Sequence, residues 1–225
     1  MSPPDALSGG AHHRSRVTGR RWLTRDTFVL DLEQPPDFRF IAGQRIQIRV
    51  GEEDRDYSLI PGDRPQTLTL LIRSVPGGSV SVHLGRSAPG VPLAFSGPSG
   101  HFIYRSASRT AVFIATGTGV APFTAMCRSG VTGFTLLHGV RRAEDLYFRD
   151  MLEAAAGQYI PCLSGMADPL PARAFAGRVT ACLEERLPRG DYDFYLAGRR
   201  DMIADVTAIV DARYPSARVY AEIFY

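Results

Sequence analysis

Lysine and asparagine are absent from this sequence, and all 26 basic side chains are arginines. The missing lysine excludes Schiff-base chemistry and a Walker-type phosphate loop, and the missing asparagine excludes N-glycosylation. Cysteine is scarce: Cys127, Cys162 and Cys182 are far apart and show no Cys-x-x-Cys spacing. Three thiols cannot supply the four ligands of an ordinary iron–sulfur cluster, and three is a poor number for a disulfide framework. Buried free thiols and no metal site are therefore expected. No apolar run approaches the ~20 residues of a membrane helix, so no membrane insertion is expected. Residues 1–10 are small and polar, without the apolar stretch of a secretory signal. A cytoplasmic location is the resulting expectation.

Charge of one sign is also weak, with a net value of only +3 and arginines spread along the chain. Nucleic-acid binding would concentrate them on one face, so no nucleic-acid partner is expected. The densest basic stretch runs from His12 through His13, Arg14, Arg16, Arg20 and Arg21 to Arg25. It reads as a solvated tail entering a strand, or as a docking patch for an acidic partner.

What is present divides into two halves. In the first, Phe28, Leu30 and Leu32 share one side of a strand within residues 17–32. Ile46, Ile48 and Val50 alternate with Gln47 and Arg49, and Leu68, Leu70 and Ile72 form a third alternating run. Turn signals at Pro35-Pro36, Pro61-Gly62-Asp63, Pro76-Gly77-Gly78, Pro89-Gly90 and Gly97-Pro98 separate the runs. That rhythm predicts an antiparallel barrel or sandwich, with one short helix over residues 79–85. In the second half the period changes. Strands are predicted over residues 111–115, 134–138, 159–163, 194–197 and 218–221. Helices are predicted from the Gly117 segment to Cys127 and over residues 143–155, 179–187 and 201–213. Strand–helix alternation implies a doubly wound parallel sheet with helices on both faces. The expected organisation is a tail over residues 1–14, a β domain over 15–105 and an α/β domain over 106–225.

Several short motifs carry chemistry. In Arg55-Asp56-Tyr57-Ser58 an arginine can grip a diphosphate bidentately. The tyrosine two positions on lies on the same side of a strand and can pack against a flat heterocycle, and the next hydroxyl can bond a ring nitrogen. Pro76-Gly77-Gly78-Ser79-Val80-Ser81 places glycines and serines at a helix start, where free N–H groups suit a phosphate. Gly117-Thr118-Gly119-Val120-Ala121-Pro122 follows the first strand of the second half. It is not Gly-x-Gly-x-x-Gly, because Pro122 takes the last glycine position, yet its glycines permit close backbone approach. Each motif alone also has a plain structural reading as a turn or a strand-to-helix connection.

In this order and spacing, from about Val17 to Tyr225, the motifs resemble those of the ferredoxin–NADP reductase superfamily. The Arg55 quartet resembles its Arg-x-Tyr-Ser flavin motif, and residues 76–81 its glycine-rich flavin-phosphate segment. Gly97-Pro98-Ser99-Gly100-His101-Phe102 is similar to the Gly-Pro-x-Gly-x-Phe that closes the flavin domain. Residues 117–122 are similar to the Gly-Thr-Gly-x-Ala-Pro nucleotide loop. His138-Gly139-Val140-Arg141, with Asp145-Leu146-Tyr147, resembles the second nucleotide-side strand and its helix. Tyr195-Leu196-Ala197-Gly198 with Met202 resembles Cys-Gly-Pro-x-x-Met, and Glu222-Ile223-Phe224 the terminal Glu-x-aromatic.

The resemblance implies a Greek-key β-barrel that binds FAD, with FMN as the alternative, and a domain that binds NADPH or NADH as hydride donor. It gives Arg55 to the flavin diphosphate, Tyr57 to the isoalloxazine, and Ser58 to a hydrogen bond near flavin N5. Gly77, Gly78 and Ser81 go to the phosphates, with Ile72 and Val80 also in the flavin site. Gly117, Thr118, Gly119 and Pro122 go to the dinucleotide, joined by His138, Gly139, Arg141, Ala197, Gly198 and Met202. Ser58, Tyr57, Glu222 and Tyr225 are the implied catalytic residues, and Phe224 or Tyr225 would stack on the flavin. Asp56 is expected to be a solvent-facing spacer. Two departures stand out: the family's cysteine is Ala197 here, and its proline is Arg199. In several NADPH-using relatives an arginine follows the serine ending the third strand, where this chain has Ser164-Gly165; Arg173 or Arg178 remain to serve, and the choice of nucleotide stays open.

The implied activity is hydride transfer from NAD(P)H to FAD, then electron delivery to an acceptor on another chain such as a ferredoxin, flavodoxin or partner subunit. Reduction of free flavin, ferric chelates or quinone is a second enzymatic reading. A non-catalytic nucleotide-binding regulatory or docking subunit is a third, supported by Ala197.

Overall fold

The computed structural model describes residues 11–105, 109–165 and 169–224. The chain divides into two units, Met1–Ile103 and Tyr104–Tyr225.

The first unit runs β1 (His12–Trp22), β2 (Thr27–Glu33), β3 (Arg45–Val50), β4 (Glu53–Ser58), β5 (Ile60–Pro61), β6 (Thr67–Arg73), α1 (Ser79–Arg86) and β7 (Pro92–Ser99). These strands form an antiparallel sheet in the order β4-β3-β7-β1-β2-β6-β5. The long connection through α1 returns β7 between β1 and β3, a Greek-key crossover. β4 and β6, near opposite ends of that order, come into contact, so the sheet curls on itself. The alternating residues fill its interior: Phe28, Leu30, Leu32, Ile46, Ile48, Leu68, Leu70 and Ile72 are all fully buried around Phe95 and Phe38. Each such side chain contributes roughly 1.5–3 kcal/mol through burial.

Three features differ from expectation. The tail expected over residues 1–14 gives way to strand from His12. The His13 ring lies edge-on to Phe38 with centroids 4.9 Å apart, and its Nε2 is 3.1 Å from the Gly97 carbonyl oxygen. Those contacts tie the segment to Phe38 and to β7; residues 1–10 lie outside the described residues. Gly97-Pro98, read as a turn, lies inside β7. Gly97 has φ 132°, and a Cβ there would stand 3.1 Å from the Arg45 carbonyl oxygen. The glycine therefore serves close strand approach beside a register shift in the β3–β7 pairing rather than chain reversal. Asp56 faces solvent as expected, but it is more than a spacer, since the Arg45 Nε lies 2.9 Å from its carboxylate across the strand pair.

The second unit runs β8 (Thr110–Thr116), a 3₁₀ turn (Gly117–Val120), α2 (Ala121–Arg128), β9 (Thr135–Val140), a 3₁₀ turn (Ala143–Asp145), α3 (Arg149–Ala155), β10 (Gln158–Leu163), β11 (Phe175–Ala176), α4 (Val179–Arg186), β12 (Tyr192–Arg199), α5 (Arg200–Arg213) and β13 (Arg218–Phe224). Its strands are parallel in the order β11-β10-β9-β8-β12-β13. α2 packs with α3 and α4 with α5. Phe113 stacks on Phe123 and Phe134 beneath α2, with centroids 4.5 and 4.4 Å away. The single helix expected over residues 143–155 is broken. Arg142 pairs with both Glu144 (3.0 Å) and Asp145 (3.5 Å), holding a tight turn, and Phe148 then adopts φ 56°. No β-period or helix-period pattern marks β11, only two residues long.

Candidate functional site

In an open parallel sheet the ligand crevice lies beyond the strand C-termini, where the strand order reverses direction. Here the chain proceeds from β8 outward through β9, β10 and β11, then returns to the other side of β8 as β12. The reversal lies between β8 and β12. The C-terminal end of β8 is Thr116, followed by Gly117-Thr118-Gly119, and the end of β12 is Ala197-Gly198-Arg199. Sequence motifs 80 residues apart are thus brought side by side.

The fit between them depends on missing side chains. A Cβ on Gly119 would collide with the carbonyl oxygen of Ala197, and one on Gly198 with the Thr116 hydroxyl. Gly117 takes φ 53° with open space around its Cα, as a backbone that a ligand approaches closely requires. The Thr118 hydroxyl makes no hydrogen bond among the described residues. Pro122 lies buried in the first turn of α2, where its missing N–H costs nothing. A glycine-lined turn with a spare hydroxyl before a helix suits the phosphates and ribose of a dinucleotide.

Other expected nucleotide residues are placed differently. His138 is fully buried, with its Nδ1 2.9 Å from the Tyr159 hydroxyl. Its Nε2 has no hydrogen-bond partner of good geometry, although the Gly117 backbone lies close enough to favour the proton. Burial depresses its pKa to about 3, so the ring is neutral and supports the turn from beneath rather than facing solvent. Gly139 is buried under Val179 of α4, where a Cβ would stand 2.7 Å from Cγ1. Met202 and Ala197 are buried, while Arg141, Arg173 and Arg178 are exposed. A side chain at Gly165 would run into the Arg141 carbonyl oxygen, so the arginine that follows Ser164 in NADPH-using relatives has no room here.

Glu222 and Phe224 lie on one face of β13, Glu222 opposite Ala197 and Phe224 opposite Arg199. Glu222 is buried and Phe224 half-buried. Tyr225 lies outside the described residues.

In the first unit, β4 is an edge strand. Arg55 and Tyr57 share one face of it, and Asp54 and Asp56 the other, bonded to β3 arginines. The exposed Arg55 guanidinium lies 3.1 Å from Glu53 and donates to the Asp54 carbonyl. Tyr57 packs its ring against the core, and burial raises its pKa well above the usual tyrosine value despite the Arg55 charge, so its hydroxyl stays protonated. Ser58 is a buried residue, and its hydroxyl hydrogen-bonds to no described residue. α1 starts at Gly78 with no side-chain cap, leaving first-turn N–H groups open to an anion. The Ser81 hydroxyl accepts from the Val75 N–H at 3.2 Å, bracing the loop and keeping its own proton to donate. Ile72 and Val80 point into the core, so only their backbones are left for a ligand. An uncapped helix start, a spare hydroxyl, a half-buried aromatic face and an exposed guanidinium held only by a surface ion pair and a backbone carbonyl fit a flavin and its diphosphate.

Comparison with known proteins agrees. Residues 15–104 match the model of the oxidoreductase FAD-binding domain, and residues 113–208 that of the oxidoreductase NAD-binding domain. The chain is 30% identical to the toluate 1,2-dioxygenase electron transfer component of Pseudomonas putida, over 95% of this chain and 68% of that protein. It spans 57% and 64% of the length of two other oxygenase electron transfer components it matches. The crystal structure of an Amycolatopsis cytochrome P450 reductase superposes with a TM-score of 0.80 at 28% identity, over 96% of this chain and 71% of that one. A ferredoxin NADP⁺ reductase from Neisseria gonorrhoeae with bound FAD and NADP shares the fold, with a TM-score of 0.81 at 19% identity over 95% and 99% of the two chains. The chain belongs to the ferredoxin–NADP reductase superfamily and is an NAD(P)H-dependent flavoprotein reductase whose cofactors are FAD and a nicotinamide nucleotide.

Proposed function

We propose that this chain is the reductase module of an oxygenase electron-transfer system, with a metal-centred protein on another chain as acceptor. The relatives' roles as oxygenase electron transfer components support this reading. The observation that carries the hydride-transfer half is the Gly117-Thr118-Gly119 turn held against Ala197 and Gly198 at the reversal point of the parallel sheet.

Bound FAD supplies acceptance of an electron pair from a nicotinamide and release of single electrons to a metal. The chain's own residues bind and orient. Arg55 offers its fork to the diphosphate once Glu53 yields it, and the Gly77-Gly78 segment presents first-turn N–H groups of α1 to the same charge. Tyr57 gives the ring system a flat apolar wall, with its phenol held neutral. Ser58 Oγ–H, unbonded among the described residues, is the donor toward the reacting edge of the flavin. Thr118 and the glycines beside it position the nicotinamide nucleotide, with Glu222 and Phe224 at the end of β13 and Met202 beneath. Positioning of this kind is the main catalytic contribution a protein makes to hydride transfer.

No helix among the described residues is long and apolar enough to cross a membrane. Cys127, Cys162 and Cys182 are free thiols, consistent with a reducing compartment, and we place the protein in the cytoplasm.

The test is reoxidation. Protein loaded with FAD and reduced anaerobically is mixed with a ferredoxin, a flavodoxin, free FMN, a ferric chelate or a quinone. The proposal expects the ferredoxin to reoxidise it fastest at low micromolar concentration, and a faster flavodoxin or small-molecule acceptor overturns it.

A further inference from the structure

The position that departs from the family's proline is Arg199, the last residue of β12. Its backbone N–H donates to the Thr116 hydroxyl at 3.3 Å, which places it directly beside the Gly117–Val120 turn. The side chain is 77% exposed, and its ion-pair partner among the described residues is Asp201. Asp201 takes it side-on: Arg199 Nε donates to Asp201 Oδ1 at 3.1 Å and Nη2 to Oδ2 at 2.8 Å. Asp201 is itself fixed, because Oδ1 also accepts the Met202 backbone N–H at 2.9 Å. The Met202 N–H and the Arg199 guanidinium hold the Asp201 carboxyl below the usual aspartate range, so it keeps its charge.

A guanidinium has five N–H donors in a rigid plane. The side-on grip occupies Nε–H and one proton of Nη2. It leaves both protons of Nη1 and the second of Nη2, and the Nη2 proton with the Nη1 proton beside it forms the end-on edge that matches two oxygens of a phosphate. An ion pair this exposed adds little to stability. Its effect is to orient the fork.

We propose that Arg199 is a phosphate clamp for the nicotinamide nucleotide, with Asp201 as its positioning residue. The ligand is the diphosphate of a nicotinamide dinucleotide, seated on the Gly117–Val120 turn and on the free edge of Arg199. This rests on reading that turn as the nucleotide loop. Proline at the same position offers neither charge nor donor, so the clamp depends on the arginine that stands there.

The test uses the FAD-loaded full chain and four hydride donors. NADH and NADPH carry the diphosphate, reduced nicotinamide mononucleotide carries one phosphate, and reduced nicotinamide riboside carries none. Losing a charge-assisted contact corresponds to about tenfold. Arg199→Ala is therefore expected to raise KM for the dinucleotides about tenfold, with kcat changing little and a flatter dependence of KM on salt. The loss should be smaller with the mononucleotide and smallest with the riboside. Arg199→Lys should restore part of the affinity, and Asp201→Asn should raise KM less than Arg199→Ala does. An unchanged dinucleotide KM in Arg199→Ala overturns the proposal, as does an equal loss with dinucleotide and riboside. If the wild type is bleached by none of the four donors, the reading of the loop fails instead, and that outcome is seen before any variant is compared.

Discussion

Gly119 stands against the carbonyl oxygen of Ala197, leaving no room for a side chain between the Gly117–Val120 turn and the end of β12. A Cβ on Gly119 would also lie 2.8 Å from the Gly198 Cα, and both obstacles are backbone atoms that cannot swing away. Gly119→Ala should therefore destabilise the protein by about 1–3 kcal/mol, the usual cost of forced overpacking. It should also weaken binding of the oxidised dinucleotide. Thermal unfolding and equilibrium titration of the same preparation check the two effects. An alanine variant with the wild-type melting temperature and nucleotide affinity would mean the turn does not use this close approach.

Arg55→Ala should leave stability nearly unchanged, since its ion pair with Glu53 is exposed on both sides. Flavin retention should fall by roughly tenfold or more, the scale of a lost charge-assisted contact. Equilibrium dialysis of FAD against wild type and variant reads this directly. Equal affinities would remove Arg55 from the diphosphate site.

Ser58→Ala deletes a hydroxyl that hydrogen-bonds to no described residue. The fold should tolerate the change. Reduction by NAD(P)H should slow by about tenfold, equivalent to ~1.4 kcal/mol of transition-state stabilisation. Stopped-flow reduction rates at saturating nucleotide provide the check, and an unaltered rate would assign Ser58 to packing alone.

His138 makes stability depend on pH. Its folded pKa, about 3, lies below the ordinary 6.5, so the unfolded chain binds the proton more readily between those values. The stabilisation is complete above about pH 6.5 and is lost as pH falls toward 3, at up to ~1.4 kcal/mol per pH unit. Urea unfolding at pH 7, 5.5 and 4.5 should show a shallower pH slope in His138→Gln than in wild type. Carboxylates contribute to both curves, so the difference between them isolates the histidine.

Much of the fold can be read from side-chain period. Phe28, Leu30 and Leu32, or Ile46 and Ile48, alternate because one face of each strand meets the core, and that face is buried as expected. The parallel half is legible because each short apolar run is followed by a helix-length segment. Misreadings fall where one residue type serves two purposes. Gly97-Pro98 has the composition of a turn, yet the glycine is needed to bring β7 close to Arg45. Residues 143–155 carry helix-forming side chains, but the Arg142 pairs with Glu144 and Asp145 and the left-handed Phe148 override them. Within the site, glycine motifs are visible because backbone conformation and close packing demand glycine. His138 carries no mark of its burial, because adjacency to Tyr159 and Gly117 arises only from parallel pairing of β8, β9 and β10. Arg199 is visible in the sequence as a departure from the family's proline, but its place beside Thr116 and its pairing with Asp201 arise only from the fold.

The most direct measurement is anaerobic titration of the FAD-loaded chain with NADH and, separately, NADPH, followed by the visible absorption of the flavin. Bleaching by about one equivalent of at least one nucleotide, and reversal of the bleaching by an added electron carrier, is the predicted result. A spectrum that neither nucleotide changes would contradict hydride transfer by this chain.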